Sequence, residues 1–203
     1  MVLHISEGVL NAATLGAGAV LTVAGLGIGL RKTDYEKLPE VAVLSSVFFV
    51  ASLIHVPIGP SAAHLILTGI CGLLLGWVAF PAIFVGLTLQ AFLFGYGGIT
   101  TLGINTFNMA FPAVILGVSF KSFMKSTKPA VRYVVGFAIG AGSIMLSGIL
   151  VALSLTMSLG QPVETAARLI ILAHIPIMII EGLMTVFIVE FIRRVRPEMI
   201  QAL

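Results

Sequence analysis

The sequence predicts an all-α integral membrane protein, a seven-transmembrane-helix bundle with its N-terminus outside. Three observations predict it: scarce charge, long uncharged runs, and the side on which the basic residues fall. Of 203 residues, 59% are hydrophobic and 9% charged, against about 25% charged in an ordinary soluble domain. Such a composition cannot build a water-facing surface and leaves no room for a soluble catalytic domain. Mean hydropathy is +1.15, and apolar runs recur near the ~20 residues a helix needs to cross roughly 30 Å of hydrocarbon.

Taken in order, the first predicted helix, 12–30, is an uncharged run closed by Arg31 and Lys32. The second, 41–54, is short for a full span and lies between a charged segment and the loop HVPIGPSAAH. The third, 62–77, and the fourth, 80–94, are parted only by Val78 and Ala79 before Pro81, so six spans is the competing count. The fifth, 105–120, follows the loop GYGGITTLG; the sixth, 133–159, follows a basic segment; the seventh, 169–191, precedes the arginines of the tail.

Charge decides between the counts. With seven spans and an outside N-terminus, the inside segments are 31–40, 77–80, 121–132 and the tail from Ile192. Ten of the eleven Lys and Arg residues then lie inside, and Arg168 alone is outside. This is the positive-inside pattern, which six spans would scramble. The basic excess is thus explained by topology, and no nucleic-acid partner is read from it. The sequence predicts one membrane-embedded domain over residues 1–203, since no repeat, low-complexity tract or soluble linker interrupts it.

The chain opens with MVLHISEG and has no positive charge before Arg31, unlike a secretory signal, so the N-terminus is expected to stay on the mature protein. Cys71 is the single cysteine, which excludes a disulfide framework and a Cys-based metal site. In the first helix Ala13 and Ala17, then Gly25 and Gly29, are four apart, the small-residue spacing that lets helices approach closely in lipid. That face suits either a partner or a neighbouring helix.

The topology gathers His4 and the loops HVPIGPSAAH and GYGGITTLG on the outer face. The residues after His4 run straight into the first helix, so the terminus is tied to the bundle and can fold back into it. A free amine, a backbone nitrogen and an imidazole together suit square-planar Ni(II) or Cu(II). His64 is expected to begin the third helix after a loop stiffened by Pro57 and Pro60, with Gly59 allowing a tight turn. His55, at the other end of that loop, reads as a group behind the ligands, an entry ligand or a solvated loop residue. His174 and Glu181 are seven apart on the last helix, nearly on one face and close to the midplane. They read either as a proton or cation pathway or as a hydrogen-bonded interhelical contact. Gln90, Asn105 and Asn108 read as interhelical bonds or ligand-orienting groups. There is no phosphate-binding GxxxxGK[ST] loop, HExxH pair or GxSxG elbow, so no enzyme is expected and ATP-driven work requires another chain.

Along GPSAAHLILTGICGLLLGW, LQAFLFGYGGITTLGINTFNMAFPAVILG and HIPIMIIEGLMT, the sequence resembles the NikM/CbiM family. These are nickel- or cobalt-binding substrate components of energy-coupling factor transporters, and the resemblance runs over essentially the whole chain. It implies a seven-helix bundle whose N-terminus folds toward the bundle centre, in the cell inner (plasma) membrane. It also implies a metal bound by the terminal amine of Met1 with His4 and His64. Ni(II) or Co(II) is then the transported ligand, with no cofactor. The implied partners are a membrane coupling component, ATPase subunits and, in many such systems, a small accessory membrane subunit. One departure matters: the family pattern places His directly after Met, whereas Val2 and Leu3 intervene here. With Met1 retained, the familiar chelate cannot form unchanged. With Met1 removed, the Val2 amine, two amide nitrogens and the His4 imidazole can still chelate. Outside the family, the competing reading is a proton-coupled secondary carrier using the His174–Glu181 face.

Overall fold

The structure, a computed structural model, describes residues 4–58, 61–160 and 163–203, with side chains described except at 55–63, 161–171 and 173. The helices are α1 (Ala12–Arg31), α2 (Leu38–Ala51), α3 (Thr68–Leu75), α4 (Ala79–Phe94), α5 (Leu102–Phe120), α6 (Pro129–Leu159), α7 (Val163–Val195) and the short α8 (Pro197–Gln201). Between α2 and α3 stands a small antiparallel hairpin, β1 (His55–Ile58) and β2 (Ser61–His64), in which His55 pairs with His64.

Helix packing fixes the direction of each element. Gly25 of α1 abuts Phe80 and Gly29 abuts Pro81, so the end of α1 meets the start of α4. α4 ends and α5 begins at the two ends of the loop 95–101, so α5 returns in the direction of α1, whose Gly18 abuts Ile104. Ser45 donates to the Ala82 carbonyl at 2.8 Å and Gly86 lies against Phe48, which makes α2 and α4 parallel. The Arg132–Glu190 ion pair at 2.7 Å joins the start of α6 to the end of α7. Helices α1, α3, α5 and α7 therefore run one way and α2, α4 and α6 the other.

Among the described residues, five stretches are long and apolar enough to cross a membrane unaided: Ala12–Arg31, Thr68–Phe94, Leu102–Lys125, Pro129–Leu159 and His174–Val195. The second of these is folded in two. His4 bonds both His64, just before α3, and Gln90, in the last turn of α4, so the chain reverses between them. The reversal sits at Gly76, whose φ of 54° lies in the left-handed region that favours glycine. At 14 residues α2 is short for a full span. The seven-helix arrangement stands, with α2 and α3 as its short members.

The third helix corrects the expectation of 62–77. Residues 61–64 pair in the hairpin and 65–67 are not helical, so helix begins only at Thr68. Two four-residue strands are too short to leave an alternation signal in the sequence. His64 consequently ends a strand rather than starting a helix. Gly59 and Pro60 lie outside the described residues.

The exterior is apolar, with Val20, Val23, Phe92, Val134 and Phe187 all exposed. Lipid is the solvent that tolerates this. The interior is packed through small residues: a side chain on Gly72 would collide with the Ala113 carbonyl, so α3 and α5 approach to backbone contact. The expected small-residue face of α1 is divided. Gly25 and Gly29 turn inward, while Ala13 and Ala17 are exposed.

Candidate metal centre

The site is built where the bundle is not helical. Three segments converge: residues 4–11 ahead of α1, the end of β2, and the loop between α4 and α5. At the start of α1, Asn11 caps the helix by accepting from the Thr14 amide at 2.9 Å. The Asn11 amide in turn donates to Ser158 near the end of α6. Upstream, the segment turns into the bundle, and His4 is buried. Asn105 receives the Ile5 amide at 2.9 Å and donates to the Ile5 carbonyl at 3.0 Å. Glu7 accepts from the Thr100 amide at 3.2 Å. Backbone without a helical or sheet partner is tolerated at this depth only when protein groups satisfy it, and these side chains do so.

Two imidazoles meet at the end of this segment. His64 Nε2 lies 3.2 Å from His4 Nδ1, and His4 Nε2 lies 2.9 Å from Gln90 Oε1. Because the Gln90 oxygen can only accept, the proton of His4 sits on Nε2, and its Nδ1 lone pair faces His64. Burial pushes the His4 imidazole down to about 4, against the opposing pull of its bond to Gln90. The ring is therefore neutral at physiological pH, the form that ligates metal. Metal–nitrogen bonds of about 2 Å put two cis donors roughly 2.8 Å apart in a square plane and two trans donors about 4 Å apart. The observed 3.2 Å is close to the cis separation.

Gly95 ends α4 with φ 64°, and the Tyr96 amide returns to the Gln90 carbonyl at 3.3 Å. This sharp return lays the Tyr96 ring over the pair, 6.2 Å from the centroid of each imidazole. Among the described residues, no three His, Cys, Asp or Glu side chains cluster as a metal site.

Of the residues singled out from sequence, His4, His64, Gln90 and Asn105 come together. Met1 lies outside the described residues, as does the side chain of His55. Asn108 donates to Ser154 at 3.3 Å, joining α5 to α6. Glu181 accepts from the backbone amides of Ile66 and Leu67, and His174 is buried on the same helix. Sequence reading passed over Glu7, Thr100 and Tyr96. The signal for Tyr96 and Thr100 was present in the glycine-rich run GYGGITTLG, where positive φ at Gly95, Gly97 and Gly98 shapes the loop.

Comparison with known proteins agrees with this architecture. Residues 4–199 match the family described as the cobalt uptake substrate-specific transmembrane region, CbiM. A metal transport protein of Haemophilus influenzae is 39% identical over 197 residues, covering 97% of this chain and 96% of that one. The cobalt transport protein CbiM of Sorangium cellulosum is 28% identical, covering 99% and 96%. The crystal structure of a transition metal transporter is matched with a TM-score of 0.77 at 28% identity, over 95% of this chain and 93% of that one. The chain therefore belongs to the CbiM family of substrate-specific transmembrane regions for cobalt uptake, and it is a transport component rather than an enzyme.

Proposed function

We propose that this chain is a single membrane-embedded domain that captures Ni(II) or Co(II) through His4 Nδ1, His64 Nε2 and nitrogens of the segment beginning at Met1. It then presents the ion to a coupling subunit and ATPase subunits in the inner (plasma) membrane, where a small accessory membrane subunit can join them. The observation that carries this reading is the 3.2 Å approach of His64 Nε2 to a His4 ring whose other nitrogen is engaged by Gln90. Two neutral imidazoles near cis spacing, beside backbone amides, form a nitrogen-rich set suited to a late first-row divalent ion. Relatives named as nickel and cobalt transport proteins support the choice of cargo. Charge supports the orientation: Lys32, Lys37 and Lys121 share one hollow with Asp34, Glu40 and Glu198 at the end opposite the histidines, and the positive-inside rule, which counts Lys and Arg rather than net charge, favours the cytoplasm for that end.

Reconstituted vesicles test the reading. The chain alone should bind Ni(II) or Co(II), with His64→Ala abolishing tight binding, and should accumulate neither ion on addition of ATP. Vesicles that also hold matched coupling and ATPase subunits should accumulate it. Robust uptake by the lone chain, driven by a proton gradient, would instead establish a secondary carrier.

A further inference from the structure

We propose that Glu181 is a positioning residue for the metal centre, acting on His64 through the backbone of residues 66 and 67; the inference rests on His64 being a ligand. Between His64 and the first residue of α3 run Leu65, Ile66 and Leu67, all buried and none of them helical. Each of their amides has a specific acceptor group. Leu65 donates to the Ile54 carbonyl at 3.2 Å, which continues the hairpin's pairing. Ile66 donates to Glu181 Oε1. Leu67 donates to both carboxylate oxygens, at 2.9 and 3.0 Å.

Leu67 adopts φ 59°, a left-handed conformation rarely taken by a leucine, and it is the one non-glycine residue with positive φ among the described residues. Strain of this kind persists only where the surroundings over-determine it, and here the over-determining group is the carboxylate from α7. Glu181 is fully buried, and none of the ion pairs among the described residues involves it. A buried carboxylate in a membrane protein is expensive. The first amides of a helix lack intrahelical acceptors, and a hydroxyl or amide oxygen typically meets one of them. What the carboxylate adds is a planar pair of acceptors that grips two successive amides and fixes their orientation, together with negative charge at the N-terminus of α3. His64 lies two residues before Ile66, at the end of β2, with the intervening Leu65 amide held by the Ile54 carbonyl. The line from α7 through Glu181 to the Ile66 amide thus ends on the ring that faces His4.

Ni(II) titration of the purified full-length chain in detergent tests this role, with the visible absorption band of bound Ni(II) followed alongside affinity. Glu181→Ala should weaken binding by at least about tenfold and shift the band, because the His64 ring loses its fixed place in the ligand plane. Glu181→Gln keeps the length and one strong acceptor, and it should recover binding to within about threefold of wild type. Glu181→Ala should add nothing in a His64→Ala background. Should Glu181→Ala prove too unstable to purify, Glu181→Asp carries the same comparison, since its shorter arm cannot hold both amides. The role is overturned if Glu181→Ala (or Asp) lowers the unfolding temperature yet leaves affinity and band unchanged while His64→Ala abolishes binding. It is equally overturned if the loss is as large without His64. Retention of full Ni(II) binding by His64→Ala is a different failure, because it removes the ligand assignment itself.

Discussion

Asn105 holds both backbone polar groups of Ile5, accepting from its amide at 2.9 Å and donating to its carbonyl at 3.0 Å across a hundred residues of sequence. This pair of bonds, one residue from His4, ties the terminal segment to α5. At about 1 kcal/mol per bond, Asn105→Leu should cost about 2 kcal/mol of the segment's docking and weaken Ni(II) binding roughly thirtyfold. Asn105→Asp should also weaken it, because the second oxygen would face the Ile5 carbonyl. Calorimetric titration checks both, and unchanged affinity in Asn105→Leu would show that the segment is held elsewhere.

Gln90 fixes which nitrogen of His4 carries the proton. Partners that orient a ligating histidine typically contribute about 10- to 100-fold in metal affinity, and Gln90→Leu should show a loss in that range. Gln90→Glu should retain most of the affinity, because it still accepts from His4 Nε2. Nitrogen-15 shifts of the His4 ring give an independent reading: the Nε2-protonated tautomer should dominate in wild type and Gln90→Glu and become mixed in Gln90→Leu. A tautomer ratio that is the same in all three removes the argument.

The sequence places Val2 and Leu3 between Met1 and His4. With Met1 retained, deletion of these two residues should bring the amine next to the histidine and strengthen Ni(II) binding. A tenfold gain corresponds to about 1.4 kcal/mol, and an added nitrogen donor can supply several times that. His64→Ala should erase the gain. Mass spectrometry establishes whether Met1 is present, and equally tight binding by the full sequence with Met1 attached would refute the register argument.

Gly72 and Gly16 are both helical glycines with opposite expectations. A methyl group on Gly72 would strike the Ala113 carbonyl, whereas one on Gly16 would meet nothing within 4 Å. Gly72→Ala should therefore destabilise by about 1–3 kcal/mol through overpacking, and Gly16→Ala should be neutral or stabilise by up to about 1 kcal/mol. Thermal unfolding in detergent reads both, with about 2–4 °C expected per kcal/mol for a chain of this length.

The two ends of the bundle should face opposite sides of the membrane. In a Cys71→Ala background, Ser6→Cys should react with an impermeant thiol reagent added outside. Gln201→Cys should react only after permeabilisation. Both positions are exposed, so burial cannot mimic the result, and labelling of both from one side would defeat the seven-helix topology.

Hydropathy and charge made most of this fold legible. The runs that became α1, α4, α5 and α6 were found within a few residues, because a helix in lipid must be apolar for most of its length. The hairpin was not legible, since HVPI and SAAH pair through backbone groups that no side-chain pattern announces. His4 and His64 were visible as candidates, and their partnership followed from the family resemblance. The place of Glu181 was hidden for a different reason. Its partners are main-chain amides more than a hundred residues away, and a main-chain amide looks the same in every sequence. Gln90 and Asn105 showed that polar groups lie inside the bundle but not which backbone they serve.

The shortness of α3 has a consequence for how such a protein can change its cargo. Its eight residues, packed on α5 and α6, are too few to cross the membrane, and the end of β2 and the terminal segment meet ahead of its first turn. A helix satisfies its own amides and carbonyls, so exchanging a ligand on one disturbs the packing of its whole face. Inserted backbone has its polar groups met one at a time by side chains reaching in from the surrounding helices. Container and grip are thereby separate parts. The donor set can be rebuilt by editing a few residues of two short segments while the small-residue contacts that close the bundle stay as they are.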